Sequence, residues 1–180
     1  MIDCHCTRFL WRLLERHYGL RRKLERLEES VEKNSRYRPE AARSLAELLR
    51  QYLSVLDLVS MKDFEEEELL TCLKDPYRAR VLLAKPHLSS AIKTLRLMAQ
   101  ALEKSSIALE EGSREAHQAA LELAPEFARM LLHLIELQDE MVSDILEAML
   151  RPESAEAIIV GVPAATPIAP VPQADATGDS

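Results

Sequence analysis

The sequence predicts an all-α fold, an elongated helical bundle with coiled-coil-like antiparallel helices and a disordered C-terminal tail. Two observations carry this. Apolar residues recur in steps of three and four along almost the whole of residues 10–150, the spacing that puts them on one face of a helix. Only four glycines stand among 180 residues, in a chain rich in Ala, Leu, Glu and Arg, all good helix formers.

The first helix is expected from Asp3 to Asn34. Its seam reads Leu10, Leu13, His17, Leu20, Leu24, Leu27, Val31, a seven-residue repeat with leucine at every d position and a histidine at one a position. His17 there is expected as a partly exposed seam residue, with helix register, proton sensing or metal binding as the alternatives. Gly19 is the weak point of this helix.

Asn34 and Ser35 interrupt the pattern, and Pro39 suits the first turn of a second helix because its missing N–H is not needed there. The second seam is Ala42, Leu45, Leu49, Tyr52, Leu56, Val59. Asp63 followed by Glu66 resembles a helix start, giving a short third helix to about Lys74. Asp75-Pro76 then opens a brief segment to Ala84, and Pro86 is expected to re-phase the chain into a fourth helix with Leu88, Ile92, Leu95, Ala99 and Leu102 inward.

Gly112 is expected to end that helix and Ser113 to cap the fifth. The fifth carries one apolar row through Ala120, Ala124, Phe127, Leu131, Leu134, Gln138, Met141 and Ile145, and a second through Ala128, Leu132, Ile135, Val142, Leu146 and Met149. A helix apolar on two faces wants neighbours on two sides, so it is the expected central element. Pro125 is expected to mark a kink or a first turn in it. From Arg151 the chain is Pro- and Ala-rich without period, the composition of a disordered tail. The organisation expected is therefore a basic heptad-repeat arm at 1–34, a helical bundle at 35–150 and a tail at 151–180.

Charge is uneven. Residues 1–50 hold 12 Lys/Arg against 8 Asp/Glu, a net of +4, and the other 130 hold 11 against 22, a net of −11. Such a split marks either an anion-binding end on an acidic body or two surfaces that attract each other. An odd count of three cysteines argues against a disulfide framework and for a reducing, cytoplasmic setting. Arg8, Arg12 and Arg16 interrupt the only stretch that resembles a signal peptide, and prolines break the longest uncharged run, so no membrane segment is expected.

Several chemistries lack their residues. The four glycines, 19, 112, 161 and 178, build neither a phosphate-cradling loop nor a nucleophile elbow. A dinuclear carboxylate bundle needs Glu three residues before His, but the residues so placed are Ile2, Leu14, Ala84, Arg114 and Met130. His133 with Glu136 and Glu140 reads as a charged solvated face. Cys4-His5-Cys6 has ligands that suit zinc or copper, yet on a helix the two thiols point about 200° apart, so they share one ion only if this end is not helical. No catalytic, cofactor-binding or metal residue is assigned.

What remains is interaction chemistry. The basic residues Arg8, Arg12, Arg16, Arg22, Lys23 and Arg26 can meet an anion or nucleic acid, although Glu15, Glu25, Glu28 and Glu29 interleave with them. In the tail, Ile158, Ile159, Val160 and Val162 form an apolar strip suited to docking. The expected function is a non-enzymatic helical scaffold, adaptor or assembly protein that works through helix–helix oligomerisation. Its expected partners are a second copy of itself and another protein; a nucleic-acid-binding or packaging-type adaptor is the alternative.

Overall fold

The computed structural model describes residues 4–60, 69–71, 73, 75 and 77–150, with Cys4 and His5 described by their backbone alone. Among them are four long helices and no strand: α1 Cys4–Lys33, α2 Pro39–Val59, α3 Tyr77–Glu110 and α4 Arg114–Leu150. The expected tail, with its strip at Ile158 to Val162, lies outside the described residues, as does most of the expected third helix. Residues 69–71 of that helix are helical, and Leu69 and Leu73 are buried in the common core.

Short turns force α1 against α2 and α3 against α4 in antiparallel pairs. Across the bundle, His17 meets Asp139 while Asn34 meets His117, so α1 also runs antiparallel to α4. Tyr52 stacks edge-on against Phe127, and Gln138 reaches Val59, so α2 and α4 run the same way. The result is an up-down-up-down bundle in which α2 and α4 each pack against all three other helices, while α1 and α3 occupy opposite sides. The two apolar rows of α4 explain its place, since one faces each flank. Leu132 is the member of the second row left half-buried.

The heptad seams close on each other inside one chain. Leu10, Leu13, His17, Leu20, Leu24, Leu27 and Val31 are all buried, as are all six residues of the α2 seam. They form one contiguous core with α3 and α4, so residues 1–34 and 35–150 share their interior.

One expectation is corrected at a proline. Pro86 does not divide its region: α3 continues through it. The inward residues Val81, Leu88, Leu95, Leu102 and Leu109 repeat every seven positions on the other side of the helix, and Pro86 is exposed. The carbonyl that loses its donor belongs to Leu82, which is exposed and so open to water. Pro125 likewise lies exposed within an unbroken α4.

Gly112 adopts φ 83, the left-handed conformation that ends α3, and Ser113 Oγ accepts from the Ala116 N–H at 3.1 Å to start α4. This turn is tied to the α1–α2 turn. Tyr37 donates to the Gly112 carbonyl at 2.7 Å, its ring lies edge-on to buried His117, and Arg114 sits 5.0 Å over it.

Candidate functional site

Among the described residues four polar side chains are buried, His17, Ser106, His117 and Gln138, and Tyr52 adds a buried hydroxyl. His17, only 1% exposed, approaches Asp139 Oδ1 through Nδ1 at 2.6 Å, and Arg21 donates to Asp139 Oδ2 at 2.7 Å. The expectation of a partly exposed His17 is thus corrected: α4 covers it. An ionised Asp139 accepts, so Nδ1 carries the proton and Nε2 is left buried without a hydrogen-bond partner. Burial is the main influence and holds the imidazole below its ordinary pKa, against the pull of the carboxylate; Arg16 and Arg21 push the same way as burial.

Gln138, beside this cluster on α4, donates to the Val59 carbonyl at 3.0 Å and so satisfies the C-terminal end of α2. Tyr52 is fully buried with its hydroxyl unpartnered; burial first, and the charge of Glu28 second, push its ionisation far above the ordinary range. His17, Gln138 and Tyr52 are buried, whereas Asp139 and Arg21 keep 21% and 38% of their side chains exposed. The His17–Asp139 and Arg21–Asp139 contacts fix which residues of α1 sit beside α4.

Of the Cys4-His5-Cys6 triplet, the side chains of Cys4 and His5 lie outside the described residues; the backbone is helical from Cys4, and Cys6 is fully buried in the core. Among the described residues no three His, Cys, Asp or Glu side chains stand close enough to hold an ion. His133, Glu136 and Glu140 are all exposed on α4.

The outer face of α1 is different. At about 100° per residue, Arg8, Trp11, Tyr18, Arg22 and Arg26 fall within an arc of about 80°, together with Glu15 and Glu29. Trp11, the chain's sole tryptophan, is 52% exposed and Tyr18 is 64% exposed. The Arg22 guanidinium lies 5.7 Å over the Tyr18 ring. Of the basic residues singled out in the sequence, Arg8, Arg12, Arg22 and Arg26 are exposed, while Arg16 and Lys23 are half-buried on an adjacent side. The structure therefore gathers part of that set and adds two aromatics that the charge pattern alone missed. The signal was present: Trp11 and Tyr18 are seven residues apart and off the apolar seam.

No described helix is long and apolar enough to cross a membrane. No family model, curated protein or solved structure matches this chain.

Proposed function

We propose that this chain is a non-enzymatic helical adaptor or scaffold, cytoplasmic, that holds a partner protein on the outer face of α1. One observation carries the reading: a large, half-exposed tryptophan and a more exposed tyrosine stand on a rigid helix between arginines. Trp, Tyr and Arg dominate interface energetics: the two aromatics bury much area while spending little conformational freedom, and Arg adds a planar, multiply donating charge. The partner this face fits is a protein surface with an apolar pocket rimmed by carboxylates. With the heptad seams used inside the bundle, self-association has only outer faces to work with.

The test is a Trp11→Ala/Tyr18→Ala variant. Both side chains lie outside the core, so its melting temperature should stay within about 2 °C of wild type, a surface-substitution effect. Tagged in the native host, wild type should retain a partner that the variant loses. An unchanged partner set with the fold intact refutes the proposal.

The interleaving of arginine with stacking aromatics also favours a second reading, contact with single-stranded nucleic acid. Glu15, Glu25 and Glu29 on the same helix weigh against it. A labelled single strand should then bind with an affinity that falls steeply as salt rises, and an Arg12→Glu/Arg22→Glu variant should abolish it. Absence of binding at about 50 mM salt, where phosphate contacts are strongest, rules this reading out.

A further inference from the structure

α1 and α4 share one open face whose two ridges carry opposite charge. The contact of Arg21 with Asp139 marks the line along which the helices touch. At about 100° per residue, Tyr18, Trp11 and Arg22 lie about 60°, 80° and 100° round α1 from Arg21, on the side away from the core. Glu136 and Glu140 lie about 60° and 100° round α4 from Asp139, again away from the core. Aromatic and basic residues therefore line one ridge, and carboxylates line the ridge beside it. The α4 ridge is acidic along its length. Glu122, Glu126, Glu136, Glu140, Asp144 and Glu147 fall within an arc of about 80° and are all exposed, with Arg129 the one Lys or Arg among them.

Such a face is its own complement. We infer that two copies of this chain pair through it, the α1 ridge of each lying on the α4 ridge of the other about a two-fold axis parallel to the bundle. A two-fold axis across the bundle would instead set α1 on α1 and α4 on α4, like charge on like. This dimer rests on the reading that the outer face of α1 holds a protein, and makes that protein a second copy. The size suffices: a face two helices wide, about 20 Å, and about 40 Å long offers about 800 Å² per copy, that of a standard stable interface.

His17 beside Asp139 on antiparallel helices fixes the heights, and an axis parallel to the bundle preserves them in the dimer. Arg8, Arg22 and Glu29 then each come within about 3 Å along the axis of an opposite charge, on Glu147, Glu136 and Arg129 of the second copy respectively. Trp11 stands at the height between Asp144 and Glu147 of the second copy, and Tyr18 between its Glu136 and Glu140, so the two rings supply apolar area among the charge pairs. Two approaches are unfavourable or neutral. Glu15 stands near Glu140, and Arg26 stands nearest Arg129, whose charge Glu126 already offsets.

The experiment uses the full chain. Wild type should sediment as a dimer at about 100 µM, a concentration that populates a micromolar contact. Its sole tryptophan, Trp11, should shift its emission to the blue as concentration rises through the transition. Arg22→Glu and Glu136→Arg each change an exposed side chain, so both should melt within about 2 °C of wild type. Each reversal sets like charges together twice in a dimer and should raise the dissociation constant about tenfold or more. An equal mixture of the two variants should recover a dimer with one chain of each kind, because every reversed site then faces its complement. A monomeric wild type overturns the inference, as does a mixture that associates no better than either variant alone. The reading of α1 keeps its own readout: if Trp11→Ala/Tyr18→Ala still loses a different protein in the host, that reading stands although the dimer has failed, and if it loses none both fall.

Discussion

Removing the Asp139 carboxylate should cost the bundle more than removing the imidazole it holds. In Asp139→Ala, buried His17 keeps its Nδ1–H with no acceptor and Arg21 loses its partner. A stranded buried donor costs about 1–3 kcal/mol. Arg21 is 38% exposed and recovers most of its loss from water. Alanine also improves the local helix by up to about 0.7 kcal/mol. The net is a loss of about 1–2 kcal/mol, or roughly 2–8 °C in melting temperature for a chain of this size. In His17→Leu, by contrast, an apolar side chain of similar length fills the site, Asp139 keeps Arg21, and stability at pH 7.5 should stay within about 1 kcal/mol of wild type. The pH dependence has a definite sign. Because His17 is held below its ordinary pKa, the unfolded chain takes up a proton that the folded chain refuses. Stability from this group is therefore fully present well above about pH 6.5 and falls as the pH drops through that value. Thermal melts by circular dichroism at pH 7.5 and 5.5 read both effects, and the difference between wild type and His17→Leu isolates this histidine from the other four. The reasoning fails if His17→Leu destabilises as much as Asp139→Ala, or if the two proteins share one pH slope.

Tyr52→Phe removes a fully buried hydroxyl that has no partner, keeps the edge-on contact with Phe127, and should leave denaturant stability unchanged or raise it by up to about 1 kcal/mol. Leu131→Ala, in a fully buried position of the central helix, should lose about 2–5 kcal/mol in the same assay, with a lower midpoint at unchanged slope. Gly112→Ala meets no atom closer than the Tyr37 hydroxyl at 3.9 Å, so any loss reports backbone strain alone, about 1–2 kcal/mol by thermal melt.

The interior was legible because one rule governs it. The seven-residue repeats of α1 and α2 became buried stripes, and the fifth expected helix, apolar on two sides, packs against all three others, as α2 also does. Pro86 misled for a reason of equal generality: the cost of a proline depends on whether the orphaned carbonyl can meet water, and Pro86 and Leu82 both lie exposed. His17 misled because a lone a-position histidine does not announce its partner. Asp139 stands 122 residues away, and only the pairing of α1 with α4 brings them together. The outer faces were the least legible. Trp11 and Tyr18 sit off the seam of a helix dominated by charge, and the exposed leucines of α3 blurred its periodicity, since an apolar residue in sequence looks alike whether it faces a core or a partner.

The charge asymmetry takes on a different meaning once the helices are placed. Counted along the chain, it sets a basic first 50 residues against an acidic remainder. Counted by element, α1 holds eight Lys/Arg against five Glu, a net of +3, and α3 a net of +4, whereas α4 holds two Arg against eight Asp/Glu, a net of −6. The two basic helices lie on opposite sides of the bundle and each runs antiparallel to the acidic one between them. The Arg21–Asp139 and Arg80–Asp144 pairs are the points where this alternation becomes contact. Within a Debye length of about 8 Å, each basic helix is drawn to α4 and repelled by the other, which favours this diagonal placement over one with α1 beside α3. The same alternation leaves the outward sides of α1 and α3 basic on an acidic protein.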